Sequence, residues 1–410
     1  MERAIVIQLA RLGDLVQSAP ALEALQTREP GWFCDLLCPA VYADIGACLP
    51  GVRRVVPWDG GAWHGFAETG DLSAAFAAFR RLVPAPYALA VNLNNHPRAI
   101  LAAHAVAGRI VGPGKNGPLG GQLSPWGTYL KRIAAERGAN RVHLSDAWCG
   151  LCGVRPLGRA PALRLSGLAP IALPDELQAF RNREGTKVAI AVGAGDRERQ
   201  IPPSAWTSVV AQWLSVSLEG SVVLIGSRGE RELAMSMLNE LPARHGGRMW
   251  DAVGRTTPAQ LADILSSCRW VIGSDTGPLH LGAAVGAQAI GWYVARARVH
   301  ETGPYGDGHW VWQSAVPNPS DWPVAETVDL LCGAMPGGRK QQAGEWQLWR
   351  STVDEWGARF QALDDPNESG RARQDVWSAM SEAGTGAASA FEAHQGNEVR
   401  LEPVEGGAAR

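Results

Sequence analysis

The 410-residue chain is too long for one ordinary hydrophobic core, and its 46% hydrophobic residues are enough to fold two domains with additional segments. Its formal net charge of −2 disfavours a nucleic-acid partner, because binding to phosphate backbones needs a surplus of basic residues. The first residues lack a signal-peptide layout, and no apolar run approaches the roughly 18 residues that a transmembrane segment needs. Seven cysteines without a repeated spacing fit a reducing cytoplasm, which is the predicted location.

The first half of the chain alternates short apolar runs with helical patterns. Strands are predicted at 4–9, 34–38, 53–58, 87–93 and 108–112, and helices at 15–28, 71–82 and 97–107. Such alternation is typical of parallel βαβ units. The stretch 111–126 is rich in Gly and Pro and predicts a long loop.

A Pro- and Gly-containing linker region over 155–185 precedes a second series of the same kind. Strands are predicted at 187–193, 221–226, 269–273 and 287–293, and helices at 203–218, 228–241, 258–267, 277–286 and 322–335. The predicted fold class is α/β, with two tandem Rossmann-like, doubly wound domains over 1–165 and 166–335. Ligands of such sheets bind outside the carboxyl ends of the strands, so the predicted site is the cleft between the two domains.

Residues 336–410 form a predicted extension of a different kind. An apolar stripe at i, i+3, i+7, i+10 and i+14 predicts an amphipathic helix, formed by Trp346, Trp349, Val353, Trp356 and Phe360. Two arginines against three carboxylates leave this helix at −1, whereas a membrane-surface helix would usually be basic. Packing on the body or on a partner is therefore favoured over membrane binding. Beyond about Asn367 the composition predicts disorder.

The loop 274–277 (SDTG) is the strongest candidate for a binding site. It follows a predicted strand and opens a helix over 277–284, so free N–H groups and the positive end of the helix dipole would face an anion. Gly277 lets the backbone approach a ligand, while Asp275 and His280 could bind sugar hydroxyls or phosphate. The alternative is an ordinary capped helix, since Asp and Thr are good N-caps in any protein.

Two further turns follow strands in the same way. In RLGDLVQSAPAL (11–22), Asp14 would lie at the carboxyl end of the first strand, as a general base or simply as a helix N-cap. In GAGDRERQIPPSAW (193–206), Arg197 and Arg199 lie where cations can meet phosphate, or belong to a solvated loop of mixed charge. Cys149 and Cys152 have no matching second pair, so they are interpreted as buried apolar residues and no metal site is predicted.

Together the three segments resemble glycosyltransferase family 9, the bacterial heptosyltransferase-like enzymes of the GT-B fold. The resemblance spans roughly residues 3–335. RLGD with Ala19-Pro20 looks like the N-terminal signature of the family, and SDTGPLHLGAA (274–284) looks like its donor signature. The segment ETGPYG (301–306) is similar to one that follows that signature. These motifs, in this order, imply an inverting, metal-independent glycosyltransferase with a helical C-terminal extension outside the family pattern.

The resemblance also implies roles for individual residues. Asp14 matches the catalytic base of the family, and the donor sugar and diphosphate site corresponds to Asp275, Thr276, Gly277 and His280. Glu230 matches a carboxylate for the nucleotide ribose. Arg199 stands where the family often has Lys, which keeps the charge but changes the geometry. ADP-heptose is the best-known donor of the family, and no cofactor is implied.

The acceptor is expected to be anionic. Seven cations against Glu136 alone give the segment 98–141 a charge of +6, and they are Arg98, Arg109, Lys115, Lys131, Arg132, Arg137 and Arg141. Such a surplus in a protein of charge −2 indicates an anionic partner, although a solvated helix and loop surface is the alternative. Arg98, Lys131 and Arg132 are the candidate acceptor-binding residues. The family analogue is the inner core of lipopolysaccharide, met by peripheral contact at the inner face of the cytoplasmic membrane.

Two other classes of protein stay open from the sequence. A nucleotide-sugar 2-epimerase can use a similar two-domain architecture, but it has no acceptor site; the RLGD turn and the basic first half favour a transferase. A non-catalytic nucleotide-sugar-binding assembly protein is also compatible with the Trp-rich extension.

Overall fold

The computed structural model describes residues 3–61, 70–83, 85–114, 124–167, 171–335, 345–363 and 370–382. Within these ranges the first half contains a five-stranded parallel sheet of order β3-β2-β1-β4-β5. Its strands are β1 (Ala4–Ile7), β2 (Cys34–Pro39), β3 (Val52–Trp58), β4 (Tyr87–Asn92) and β5 (Ala107–Val111). Each of them falls on a predicted strand, which confirms the βαβ pattern of the first half.

The second half contains, in the described ranges, an eight-stranded sheet of order β13-β12-β11-β10-β9-β6-β7-β8. Its strands are β6 (Lys187–Ala191), β7 (Ser221–Ile225), β8 (Met249–Asp251), β9 (Trp270–Gly273), β10 (Gln288–Tyr293), β11 (Trp310–Ser314), β12 (Trp346–Asp354) and β13 (Gly357–Ala362). The pairs from β8 to β11 are parallel, whereas β12 is antiparallel to β11 and β13. β6, β7, β9 and β10 agree with the predicted strands; β8, β11, β12 and β13 were not predicted.

Helices connect the parallel strands in both halves. Those of the first half are α1 (Leu12–Gln17), α2 (Ala19–Arg28), α3 (Ala43–Ala47), α4 (Leu72–Arg81), α5 (Pro97–Val106), α6 (Pro125–Ala135) and α7 (Leu144–Leu151). Those that follow are α8 (Asp175–Asn182), α9 (Pro203–Val216), α10 (Arg231–Glu240), α11 (Pro258–Ser266), α12 (Gly277–Ala284), α13 (Val299–Thr302), α14 (Val324–Leu331) and α15 (Gly370–Glu382). The fold is therefore two parallel α/β units in tandem; the domain boundaries at 165 and 335 stay predictions.

The tryptophan-rich segment predicted as an amphipathic helix is instead the antiparallel hairpin of β12 and β13. β12 pairs with the edge of β11. The N–H and C=O groups of β11 at this edge form hydrogen bonds with a strand, which a helix in the same place would leave without partners. Burial in β13 alternates, with Ala358, Phe360 and Ala362 inside, which is the period of a strand. Gly357 has a φ of +99°, a conformation that ends any helix and reverses the chain here. The helix prediction for residues 346–360 was wrong because a stripe at helical spacing does not reveal a free sheet edge.

The prediction of disorder beyond about residue 367 is also wrong in part, because α15 is an ordered helix. Its Val376 and Trp377 are only 2% and 3% exposed. The Trp377 ring lies 4.5 Å from the ring of Trp126 on α6, and Arg155 lies over it at 4.7 Å. A few apolar side chains thus pack this helix against the first half. They are too few to change the overall composition of the segment, from which disorder is predicted. Residues 364–369 and 383–410 lie outside the described residues.

A buried carboxyl group joins the first half, the second half and the hairpin. Asp146, on α7, accepts hydrogen bonds from the Tyr305 hydroxyl at 2.8 Å and from the Ala358 N–H at 2.8 Å. Gly357 makes this approach possible, because a Cβ at that position would overlap the Asp146 carboxyl group. Burial raises the pKa of Asp146 to about 7. One buried side chain therefore contributes hydrogen bonds to the contact between these three segments.

The hydrophobic core is continuous between the two halves. One cluster of buried side chains includes Leu15 and Trp148 of the first half, Leu279 of the second and Phe360 of the hairpin. Burial of apolar side chains in a shared cluster stabilises the arrangement of both units as well as each unit alone. The loops at the facing sheet edges are consequently held in a defined relation, which positions the site described next.

Candidate active site

A cavity of about 820 Å³ lies between the two halves, at the carboxyl ends of β1, β6, β7 and β9. The segments that follow these strands form its walls, as the strand–helix pattern predicts for doubly wound sheets. Eight of the predicted site residues line it: Asp14, Arg98, Arg199, Glu230, Asp275, Thr276, Gly277 and His280. The structure thus brings together motifs that are up to about 260 positions apart in the sequence.

Two glycines form a contact between the halves at the wall of this cavity. A Cβ on Gly13 of α1 would lie 2.9 Å from Cδ2 of His280 and 3.5 Å from Cα of Gly277. A Cβ on Gly277 of α12 would lie 3.0 Å from Cβ of Leu12. Because neither glycine has a side chain, the first turns of α1 and α12 approach each other closely. This contact brings the residues that follow, Asp14 on one side and the start of α12 on the other, to one place.

Asp14 lies at the third position of α1 and not at its N-cap. Its Oδ2 accepts a hydrogen bond from the Arg11 N–H at 3.2 Å. Burial raises the pKa of this carboxyl group, while the Arg11 hydrogen bond and the charge of His280 act in the opposite direction. A carboxylate with a raised pKa is a stronger base than one in water, and this one faces the cavity. The geometry is compatible with proton abstraction.

Asp275 is held by a pair of basic side chains. Its Oδ2 accepts a hydrogen bond from Nη1 of Arg199 at 2.8 Å, and its Oδ1 lies 3.2 Å from Nε2 of His280. Nη1 of Arg199 also donates to the Asp275 carbonyl at 2.9 Å. Burial alone would raise the pKa of Asp275, but the His280 hydrogen bond and the charges of His280 and Arg199 outweigh it and lower the pKa. Asp275 is therefore an ionised, oriented acceptor suited to sugar hydroxyls.

The start of α12 is not capped by a side chain. Thr276 is the N-cap residue, yet its hydroxyl donates to the Ser274 carbonyl at 3.3 Å and makes no cap hydrogen bond. The alternative of an ordinary capped helix is thus not what the structure has. An uncapped helix start beside Arg199, on the wall of a cavity, carries a partial positive charge that favours an anion such as phosphate.

Glu230 reaches the cavity because two neighbouring positions are glycine. A Cβ on Gly193, after β6, would overlap the Glu230 carboxyl group, and one on Gly226, after β7, would lie 2.8 Å from its Oε2. The same Oε2 accepts a hydrogen bond from the Ser227 N–H at 2.5 Å. The carboxylate is therefore fixed at the ends of two adjacent strands, where the hydroxyls of a ribose can donate to it.

The basic residues of segment 98–141 divide between the cavity and the outer surface. Arg98 lines the cavity, where its Nη2 donates to the Leu9 carbonyl at 2.8 Å, and Arg137 lines it too. Lys131 and Arg132 are exposed on α6 and are not among the residues that line the cavity. The opposite face of α6, with Trp126, Tyr129 and Ile133, is buried, so helix geometry directs Lys131 and Arg132 outwards. Lys115 lies outside the described residues.

Glu301, in the segment ETGPYG, is a residue of the site for which the sequence motifs imply no role. It lies on α13, lines the cavity and is only 6% exposed. Burial raises its pKa to about 7, the charge of Arg137 acts in the opposite direction, and the negative charges of Asp275 and Asp14 add to the rise. An acidic residue soon after a donor signature is a signal that the sequence contained; that it is buried beside two other carboxylates was not predictable.

Other sequence candidates have structural roles. Cys149 and Cys152 are at the end of α7, and burial raises the pKa of Cys149 well above its ordinary value and that of Cys152 to about 12. Their thiols therefore stay protonated and pack as apolar groups, as predicted. Within the described ranges, no three or more His, Cys, Asp or Glu side chains are grouped so that they could hold a metal ion. No helix in those ranges has the length and apolar character to cross a bilayer.

Solved structures share this architecture. The E. coli ADP-heptose lps heptosyltransferase II is 17% identical, with a TM-score of 0.54 over 74% of this chain and 87% of that chain. A glycosyl transferase family 9 structure from Veillonella parvula DSM 2008 is 17% identical, with a TM-score of 0.60 over 80% of this chain and 91% of that chain. E. coli heptosyltransferase WaaC with ADP is 18% identical, with a TM-score of 0.53 over 74% of this chain and 91% of that chain. The fold is that of GT-B-type glycosyltransferases.

The sequence of the second half also matches a known family. Residues 168–320 match the family described as glycosyltransferase family 9 (heptosyltransferase). The matched range contains Arg199, Glu230 and the whole of α12. No curated protein sequence matches the chain significantly.

Proposed function

We propose that the chain is an inverting, metal-independent glycosyltransferase that moves a sugar, heptose from ADP-heptose, to an anionic glycan such as the inner core of lipopolysaccharide. One observation carries the proposal: Asp14 of the first half and Asp275 of the second line one cavity, where α1 and α12 touch through Gly13 and Gly277. A carboxylate base thus stands beside an uncapped helix start. Single-displacement transfer needs both groups at one reacting carbon.

In the proposed reaction, an acceptor hydroxyl attacks the anomeric carbon of the donor from the face opposite the diphosphate. The new C–O bond forms as the proton of the hydroxyl passes to Asp14, and the bond from the anomeric carbon to the diphosphate oxygen breaks. The electron pair of that bond leaves with the diphosphate, so negative charge grows there. The start of α12 and Arg199, which both line the cavity, stabilise this charge.

Two features support a nucleotide-sugar donor in the second half. Glu230, fixed between Gly193 and Gly226, suits ribose hydroxyls, and Asp275 with its two basic partners suits hydroxyls of the sugar. ADP-heptose is the proposed donor because one similar structure is an ADP-heptose lps heptosyltransferase and another is a heptosyltransferase with ADP. No cofactor takes part in the proposal. The reaction would take place in the cytoplasm, with peripheral contact at the inner face of the inner membrane where such an acceptor is exposed.

Nucleotide binding tests the proposal directly. Thermal unfolding of the full chain would be measured with ADP, UDP, GDP, ADP-heptose and other nucleotide sugars. Pyrophosphate and adenosine would be included as fragments of the nucleotide. A nucleotide at 100 times its dissociation constant is expected to raise the unfolding free energy by roughly 2.7 kcal/mol, seen as a higher midpoint. ADP and ADP-heptose should give the largest shifts. If no nucleotide diphosphate moves the midpoint, the donor-binding role of the second half is wrong.

The acceptor part of the proposal concerns charge. Arg98 and Arg137 line the cavity, and Lys131 and Arg132 lie outside it on the same half, where a long anionic glycan would extend. Reversing both charges, in Lys131→Glu with Arg132→Glu, should raise the acceptor KM by roughly 10-fold at low salt, because attraction becomes repulsion. The control is Arg80→Glu with Arg81→Glu on α4 of the same half. The substrate is a deacylated inner-core acceptor. If its turnover changes neither with salt concentration nor with the charge reversal at Lys131 and Arg132, α6 is not part of an acceptor-binding surface.

A further inference from the structure

Glu301 has a buried carboxyl oxygen that forms no hydrogen bond within the described part of the chain. It is 6% exposed, lines the cavity, and its Oε2 has no hydrogen-bond partner there. The nearest charge is Nε of Arg137, at 3.6 Å from that oxygen, which is an ion-pair contact but too long for a good hydrogen bond. A buried acceptor in this condition costs folding free energy, so the fold alone gives no reason to keep it.

Glu301 lines the same cavity as Asp14 and Asp275, the carboxylates assigned to the two reacting partners of the proposed transfer. Both Asp14 and Asp275 act on its ionisation through their charges, so its carboxyl group lies within electrostatic reach of the base and of the donor-site carboxylate. Arg137 belongs to the first half and Glu301 to the second, so their ion pair connects the two halves at the wall of the cavity. The local backbone is already satisfied, because the Glu301 N–H donates to the Arg298 carbonyl at 3.0 Å. The side chain is thus available for a ligand.

We infer that Glu301 is a specificity-determining residue that accepts hydrogen bonds from hydroxyls of the sugar carried by the donor, with Arg137 holding its carboxylate towards the cavity. This inference rests on the proposed function and adds one contact to the donor site. A pyranose with several free hydroxyls, placed between Asp275 and Asp14, presents donors to Oε2, and a hydrogen bond to a charged acceptor is among the stronger ones in proteins. The nucleotide and diphosphate lie towards Glu230 and the start of α12, so Glu301 reads the sugar and not the nucleotide.

The test compares two ligands that differ only in the sugar. Affinities for ADP and for ADP-heptose would be measured by calorimetry on the full chain and on Glu301→Gln, which keeps the shape of the side chain and removes its charge. The expected result is an ADP affinity within about twofold of the unaltered protein and an ADP-heptose affinity about 10-fold lower. Glu301→Ala, which has no acceptor, should lower ADP-heptose affinity further. Glu326→Gln on α14, away from the cavity lining, is the matched control and should leave both affinities unchanged.

The outcomes separate this inference from the proposed function. Equal affinities of the unaltered protein and Glu301→Gln for both ligands would overturn the inference, as would a parallel loss of both, which indicates a structural role. If the unaltered protein binds ADP but gains nothing from the sugar, the role of Glu301 fails while nucleotide binding stands. If it binds neither ligand, the proposed donor site itself fails.

Discussion

Replacing Asp14 with Asn is expected to lower kcat by about 100- to 10,000-fold, which is the range that a positioned general base supplies. The Asn side chain can still accept the hydrogen bond that Asp14 takes from the Arg11 N–H, so α1 and its contact with α12 should persist. It cannot take a proton at neutral pH. Donor affinity should therefore stay within a few-fold of the unaltered protein, while transfer to the acceptor is lost.

The measurement is single-turnover transfer with saturating donor, together with calorimetric donor binding. Asp71→Asn is the matched control, because Asp71 caps α4 outside the cavity and Asn caps equally well. The pH dependence adds a second check. The base must be ionised, and the pKa of Asp14 is raised above its ordinary 3.8, so activity should fall as the pH drops through that raised value. Undiminished turnover in Asp14→Asn would remove Asp14 from the mechanism.

The second large effect concerns stability and comes from Asp146. Burial raises its pKa from 3.8 to about 7 in the folded chain, so between those values the folded state binds more protons than the unfolded state. Protonated Asp146 therefore makes its full contribution to the free energy of unfolding below pH 3.8, the pKa of the unfolded chain. That contribution is lost as the pH rises through about 7, the pKa of the folded chain. From pH 5 to pH 8 the wild-type chain should lose about 3 kcal/mol of unfolding free energy through this group.

Denaturant unfolding of the wild-type chain and of Asp146→Asn at pH 5 and pH 8 measures this contribution as a difference of differences. Asn does not titrate, so its variant should lack this part of the pH dependence while losing stability at pH 5. Glu301, whose pKa is also raised to about 7, is present in both proteins and cancels. Identical pH dependence in wild type and Asp146→Asn would mean that the carboxyl group stays hydrated.

Much of the fold was predictable because the parallel strands are buried on both faces. Such strands read as short continuous apolar runs, and β1, β6 and β9 are examples in which every residue or nearly every residue is buried. The motif loops were predictable for a related reason: a Gly-containing turn between a strand and a helix has few uses besides close approach to a ligand or another backbone. At Gly13 and Gly277 the approach is to another backbone, and the proposed anion site lies next to this contact.

What could not be predicted depends on partners distant in sequence. Trp349 and Phe360 fit a helical stripe as well as two strands, and only the free edge of β11 decides between them. Trp377 lies in a segment of disorder-like composition but has a ring of the first half, Trp126, to pack against. Glu301 acquires its unusual environment from Arg137, Asp14 and Asp275, which three separate segments bring together.

The hairpin also sets a practical limit on how the chain can be shortened. A version that ends near residue 335, after α14, would remove β12 and β13 and leave the backbone of β11 as an unpaired edge with Trp310 and Trp312 on it. Exposed edge strands of this kind recruit other chains and promote aggregation. The same cut would deprive Asp146 of the Ala358 N–H. Expression and crystallisation trials should therefore trim the chain only beyond α15, at residue 383 or later.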